Sequence, residues 1–134
     1  MGNAPDAWYA LRNALFEGAF DVAEGLLRQR PALLEQRNGI GETVLHFLAV
    51  EDCLAGVAWL HARGASLDTR NDFGTPVVFE VAELGYGELL EWFAANGADL
   101  RQLDGDGQDL VACLVEGEKP EMAALVRALS GTRH

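Results

Sequence analysis

Few residues of this chain have the types and spacing that catalysis or metal binding requires. The three histidines, at positions 46, 61 and 134, are not accompanied by a recognisable nucleophile or orienting group. The sequence has no G-x-S-x-G, no phosphate-binding loop, no dinucleotide-binding glycine motif, no paired-cysteine zinc spacing and no H-E-x-x-H. We therefore predict that the protein is not an enzyme and requires no cofactor.

The stretch from Asp104 to Asp109, with the sequence DGDGQD, is the one that invites a metal interpretation. A calcium loop of the EF-hand type has Gly at its sixth position and a bidentate Glu at its twelfth. This chain has Asp109 and Val115 at those positions. We therefore predict no metal site, and interpret the glycines of this stretch as turn residues.

The sequence contains an internal repeat with a period of about 33 residues, and this repeat predicts the helices and turns that would position these residues. The stretch 71–103 aligns with the stretches before and after it, so that similar side chains coincide: Gly74 with Gly41 and Gly107, Val78 with Leu45 and Val111, Trp92 with Trp59, and Leu100 with Leu67. Each unit reads as a glycine-rich turn, two short apolar helices and an extended tail. A fixed period of this length is typical of stacked helical repeats.

The best-preserved fragments are Gly41-Glu-Thr43-Val-Leu45-His46 and Arg63-Gly64-Ala65. They resemble the ankyrin repeat, whose pattern runs G-x-T-P-L-H-x-A-A and later V-x-x-L-L-x-x-G-A. The resemblance covers about residues 8 to 129. It implies an all-α fold, an ankyrin-repeat solenoid of stacked helix-turn-helix units with short β-hairpin turns. We expect one domain, residues 1–134, with repeats at approximately 5–37, 38–70, 71–103 and 104–134.

Several local features are predicted from this register. The first repeat should have helices near residues 10–17 and 20–29, Thr43 and Asp109 should be N-caps, and Pro120 should begin the last helix. Thr75-Pro76 stands one residue early, so we expect that helix to start one residue sooner. Asp52 replaces the usual helix-ending glycine, and Asp tolerates left-handed backbone better than most residues.

The resemblance also gives His46 a structural role, because the Thr and His of this motif bond to each other and to loop backbone in ankyrin repeats. Glu80 occupies a position that is usually apolar. We expect it to turn to the edge; the alternative is burial with a raised pKa. Trp59 and Trp92 are equivalent, which predicts stacking of one indole on the other.

The net charge of -11 is unevenly distributed along the chain. Between residues 72 and 121, twelve acidic residues stand against Arg101 and Lys119. Binding to phosphates requires a basic face, so this distribution argues against nucleic acid as a partner. It favours a protein partner with a basic surface.

Ankyrin-repeat proteins bind partners with their turn tips and with the inner face of the first helix of each repeat. Carried onto this chain position by position, the resemblance implies a surface made of apolar and acidic residues: Ile40, Glu42, Glu51, Asp72, Phe73, Glu83, Leu84, Asp106 and Glu116. Apolar anchors ringed by charge are typical of protein interfaces. The alternative is that acidic tips serve only solubility.

Two classes of function are consistent with these features. The first is a non-catalytic binding module with an acidic face, most concretely an inhibitor or the immunity half of a bacterial toxin pair that covers a basic partner. The second is a scaffold or regulatory adaptor without an inhibitory role.

The cellular context is suggested by composition. The N-terminal stretch lacks a basic region followed by an apolar run, and no 18 consecutive residues are apolar, so we expect neither secretion nor membrane spanning. Cys53 and Cys113 fall two repeats apart, too far for a disulfide, which requires Cα atoms within about 7 Å. We expect a reduced, cytoplasmic protein that is monomeric when free. One lysine against nine arginines indicates GC-rich codons and a bacterial source.

Overall fold

The computed structural model describes residues 4–130 and is all-α over that range. Helical segments account for its regular structure, in the order α1 (Ala4–Phe16), α2 (Phe20–Gln29), a 3₁₀ turn (Pro31–Leu34), α3 (Val44–Val50), α4 (Leu54–Ala62), α5 (Val77–Glu83), α6 (Gly87–Ala95), α7 (Leu110–Glu116) and α8 (Pro120–Leu129). The first residues of α3, α5 and α7 therefore fall at the same position of successive sequence units.

The predicted short β-hairpins do not form within residues 4–130. The loops before α5 and α7 contain only isolated bridges, Arg70 with Pro76 and Leu103 with Asp109. The bridge of Arg70 with Pro76 is made by two backbone bonds, from Asn71 N–H to Thr75 C=O and from Val77 N–H to Thr69 C=O, and pairing ends there because helix α5 begins at Val77.

Helix starts follow local capping chemistry. The Thr43 hydroxyl accepts a hydrogen bond from His46 N–H at 3.2 Å, and the Asp109 carboxylate accepts one from Ala112 N–H at 2.8 Å. Pro120 occupies the first turn of α8. These three predictions are confirmed, and each of the two side-chain caps satisfies a backbone donor that the helix leaves free.

Two predicted starts are wrong. Helix α5 begins at Val77 after an extended Pro76, in register with α3, and Thr75 lies in the preceding loop, where its backbone N–H is bonded to Asn71 Oδ1. Helix α1 begins at Ala4 rather than near residue 10. Its early part is anchored by Trp8, which is fully buried and donates its indole N–H to Gln36 C=O.

The helices pack in pairs and in series. Helix α1 packs on α2, α3 on α4, α5 on α6 and α7 on α8, while α1, α3, α5 and α7 contact one another in that order. The core lies between these helices, and its largest fully buried side chains are those of Trp8, Phe79 and Phe93. Burial of apolar side chains of this kind is the main source of stability.

Left-handed residues end the first helix of each pair. They are Gly18, Asp52, Gly85 and Glu118, all with positive φ. The expected left-handed conformation of Asp52, with a φ of 58°, is confirmed. Residues with a Cβ adopt this conformation at a cost, so Asp52 and Glu118 are held there by the helices on either side.

The predicted ladder of indole rings is wrong. Phe20 stacks on Trp59, with ring centroids 6.3 Å apart and planes 13° apart, and the Arg63 guanidinium lies 3.6 Å from the centre of the same indole. Trp92 instead meets the His61 ring edge-on. Because Trp59 is engaged by Phe20 and Arg63, it does not stack on Trp92.

None of the helices described in residues 4–130 has the length and apolar content needed to cross a membrane.

Replacing Leu90 by Ala should lower the free energy of unfolding by about 2–5 kcal/mol, because the side chain is fully buried and its loss leaves a cavity. Urea denaturation followed by circular dichroism measures the change. Phe73→Ala is the control, since 72% of Phe73 is exposed and little packing is lost. Equal destabilisation by the two substitutions would contradict this packing.

Candidate functional site

Three loops are closed by one side-chain oxygen each. The Oδ1 atoms of Asn38, Asn71 and Asp104 each accept two backbone N–H groups of the loop that follows, at 2.9–3.1 Å. These residues occupy the same position of successive sequence units. Our sequence prediction missed their role, although the recurrence of Asn or Asp at one register position is a signal that could have identified it.

Two arginines donate hydrogen bonds to backbone carbonyls of the same loops. Arg37 donates hydrogen bonds to the C=O groups of Gly41 and Arg70, and Arg70 donates one to Gly74 C=O at 2.9 Å. Each guanidinium therefore satisfies loop carbonyls, and that of Arg37 also connects adjacent units. These bonds fix the two guanidinium groups against the loops, although Arg37 remains exposed and Arg70 is half-buried.

The loop tips lie side by side. Asp72 N–H donates to Ile40 C=O at 3.0 Å, so the first two tips are hydrogen-bonded to each other. The second and third tips are equally close, because a Cβ added to Gly105 would lie 2.6 Å from Phe73 C=O. Ile40 is 48% exposed and Phe73 is 72% exposed. Ile40, Asp72, Phe73 and Asp106 thus form one row, which we call the tip row.

The remaining predicted residues lie at the ends of the first helices. Glu51 follows α3, Glu83 and Leu84 end α5, and Glu116 ends α7; all four are exposed. The Gln108 side chain donates to Glu116 Oε1 at 3.2 Å and thereby connects the third loop to the end of α7. We call these four residues the helix-end group.

Glu42 does not lie on the surface where we predicted it. The residue is 6% exposed, and its carboxylate turns inward, accepting a hydrogen bond from the Asn38 side chain at 3.4 Å. Burial raises the pKa of the Glu42 carboxyl, and so does the charge of Glu80, while His46 and Asn38 lower it. The loop closure by Asn38 turns Glu42 inward, because its backbone N–H is one of the two bonded groups.

Glu42 meets two other ionisable side chains in the interior, Glu80 and His46. His46 Nε2 lies 2.5 Å from Glu80 Oε1 and 4.0 Å from Glu42 Oε2. The His46 side chain is fully buried, whereas that of Glu80 is 30% exposed, which confirms its expected edge position. The expected Thr43 contact of His46 is made by its backbone N–H, and its ring instead faces the two carboxylates.

We call Glu42, His46 and Glu80 the carboxylate-histidine cluster. Their ligand atoms all lie within 4.8 Å of one another. Sequence reasoning did not bring the three together, because Glu80 is 34 positions from His46 and belongs to a different helix pair.

Neighbouring carboxylates affect one another at the exposed end of α5. Partial desolvation is the main cause that raises the pKa of the Glu83 carboxyl, and the charges of Glu80 and Asp104 raise it further, while Lys119 lowers it. The pKa of Asp104 is lowered, chiefly by the N–H of Gln108 and also by that of Asp106. The end of α5 therefore carries concentrated negative charge, which the only lysine of the sequence offsets in part.

A cation lies at the N-terminal end of the molecule. The Arg12 guanidinium lies 5.0 Å from the centres of the Tyr9 and Phe47 rings. Phe16, on the same helix, is 57% exposed. This end therefore presents an aromatic surface with a positive charge, in contrast to the acidic helix-end group on α5 and α7.

Cys113 lies beside this acidic surface, and no disulfide joins it to Cys53. Its Sγ is 3.5 Å from Asp104 Oδ2 and 3.4 Å from Gln108 Oε1. Burial, together with the hydrogen bond to Asp104 and its charge, raises the pKa of the Cys113 thiol to about 11. The thiol is therefore unsuited to act as a nucleophile at neutral pH.

Comparison of the sequence with protein-family models and with curated proteins found no match.

Cys113 should react slowly with iodoacetamide. At pH 8 a thiol with a pKa of about 11 is ionised to the order of one part in a thousand. Asp104→Asn should lower the midpoint of the pH-rate profile, because it removes the adjacent charge but keeps the Oδ1 that closes the loop. The measurement is alkylation followed by mass spectrometry in a Cys53→Ser background. If the pH-rate profile of the parent protein had its midpoint at about 8.5, the ordinary pKa of a cysteine thiol, the raised pKa of Cys113 would be contradicted.

Proposed function

We propose that this all-α chain is an ankyrin-repeat solenoid. Three structural features support the proposal: the first helices of the pairs pack in series, three of them begin at the same position of successive sequence units, and the intervening loops are closed by equivalent Asn or Asp residues. Equivalent local chemistry at a constant period is what a stack of similar units requires.

We infer that the solenoid is a non-catalytic binding protein for a partner with a basic surface. The observation that carries this inference is the tip row, where exposed apolar side chains alternate with acids while the nearby Arg37 and Arg70 are bonded to loop carbonyls. Apolar side chains give a partner area to bury, and exposed carboxylates attract a cationic one. The most concrete role is an inhibitor, such as a bacterial immunity protein, in the cytoplasm.

The helix-end group extends the same surface. Leu84 is 49% exposed and stands next to Glu83, so an apolar contact is again bordered by a carboxylate. Glu116, at the end of the next first helix, adds a further negative charge. A basic partner that contacts the tip row and the helix ends together would bury apolar area while its cations meet these carboxylates.

The experiment that tests this function uses three immobilised proteins. They are the parent, an amide variant of Asp72, Glu83, Asp106 and Glu116, and a control variant in which Glu88, Glu91, Asp99 and Glu121 become amides. The two variants change net charge equally, but the control residues are outside the proposed surface. We expect the parent and the control to retain a basic protein from cells of the source, and the amide variant to lose it.

Mixing the retained protein with the parent in solution then tests inhibition. Loss of the partner's own activity in proportion to bound complex supports an inhibitor. Equal retention by all three immobilised proteins would show that the acidic surface does not select the partner.

Ile40→Ala combined with Phe73→Ala should weaken binding of the retained partner roughly tenfold or more, because exposed apolar anchors supply interface energy. The same double variant should change the free energy of unfolding by only about 0.5 kcal/mol, because both side chains are exposed. Calorimetric titration and urea denaturation provide the two readouts. If the double variant bound the partner with unchanged affinity, the tip row would not be part of the interface.

Association should also depend on salt. In the parent and the control variant, the association rate should fall steeply as ionic strength rises, because charges attract over about 10 Å at about 0.1 M salt. The amide variant of the four surface acids should associate more slowly and with a flatter dependence. Stopped-flow measurements of the association rate over a series of salt concentrations test this difference between the variants. Parallel slopes for the amide and control variants would mean that the surface acids serve solubility.

A further inference from the structure

The carboxylate-histidine cluster has the composition and spacing of a metal site, which neither the sequence patterns nor the proposed partner binding require. We propose that Glu42, His46 and Glu80 bind one Zn²⁺ ion. The inference rests on the interior of the molecule and is independent of any protein partner.

The donor set suits zinc. Zn²⁺ accepts imidazole nitrogen and carboxylate oxygen in tetrahedral sites, and sites with three protein ligands complete their coordination with water. Here one imidazole and two carboxylates converge from two helix pairs. Glu80 is the most exposed of the three at 30%, so its side of the cluster is open for a water ligand. An all-oxygen set would instead favour calcium or magnesium.

The distances require only small adjustments. Ligand bonds of about 2.0–2.2 Å in a tetrahedron place neighbouring donor atoms about 3.4 Å apart. The His46–Glu80 distance of 2.5 Å would have to lengthen, and the His46–Glu42 distance of 4.0 Å would have to shorten. These two changes are each under about 1 Å, and the Glu42 and Glu80 oxygens, which lie within 4.8 Å of one another, would have to approach by at most about 1.4 Å. Glu80 can move because its side chain reaches the surface, whereas the buried His46 ring can stay in place.

The buried carboxylate of Glu42 is the second observation that indicates a ligand. Its side chain is 8% exposed, and its Oε1 is within 3.4 Å of the Asn38 amide. Its Oε2 lies 4.0 Å from His46 Nε2, a separation longer than a hydrogen bond. A metal ion between these atoms would give this largely buried carboxylate a closer, cationic partner.

The ring of His46 is oriented for the same role. Its Nδ1 is buried and has no hydrogen-bond partner in the described part of the chain, whereas its Nε2 faces both carboxylates. A zinc ion bound there would join the loop before α3 to helix α5. The ion would therefore cross-link two successive helix pairs and stabilise their packing.

Isothermal titration of the full chain with ZnCl₂, after chelator treatment and in excess magnesium, tests the site. We expect one Zn²⁺ per chain, a rise in Tm with zinc concentration, and the visible absorption of four-coordinate cobalt when Co²⁺ replaces zinc. Loss of an outer-shell partner weakens metal binding roughly 10- to 100-fold, so Glu80→Gln, which removes a ligand, should weaken it at least about tenfold.

Two further variants complete the test. His46→Gln should abolish the cobalt spectrum, and Glu91→Gln, which removes an exposed charge from α6, should bind zinc like the parent. If His46→Gln does not fold, Glu80→Gln decides the question, because Glu80 lies at the surface. Absence of saturable one-to-one binding in the parent, or equal zinc affinity in Glu80→Gln, would overturn the proposal. So would loss of zinc binding in His61→Gln alone.

Discussion

The closing of each loop by one Asn or Asp oxygen is the interaction on which much of this molecule depends. With two backbone N–H groups held by Asn38, Asn71 or Asp104, the following helix must begin at a fixed distance along the chain. The same bonds hold Thr75 in its loop and place Glu42 inside. Because unpaired backbone groups are costly, a single side-chain oxygen fixes the geometry of an entire turn.

The arrangement of charge follows from this loop structure. Loop carbonyls require donors, and Arg37 and Arg70 supply them, so the loops fix the positions of these two guanidinium groups, although Arg37 stays exposed. The nearby acids Asp72 and Asp106 extend to solvent at the tips. The acidic tips are therefore a consequence of how the loops are built, and it is these tips that support the proposed recognition of a basic protein.

The interior contains the opposite case, in which acids are brought inward. The buried Glu42 and the partly exposed Glu80 converge on His46, whose ring is fully buried, although isolated buried charges are strongly unfavourable. Three such groups are compatible when they share protons or a cation. The proposed zinc ion and the proposed partner surface thus use different carboxylates of the same molecule, one set packed between helix pairs and the other set exposed.

The sequence by itself determined the features that depend on neighbouring residues: the all-α class, the caps at Thr43 and Asp109, and the exposure of Ile40 and Phe73. These follow from spacing and from short-range hydrogen bonds, which a pattern records directly. Tertiary structure decided the rest. Whether Glu42 turns inward, whether Glu80 meets His46, and whether Trp59 stacks on Phe20 or on Trp92 depend on side chains from different helix pairs, whose approach to within a few ångströms no periodicity specifies.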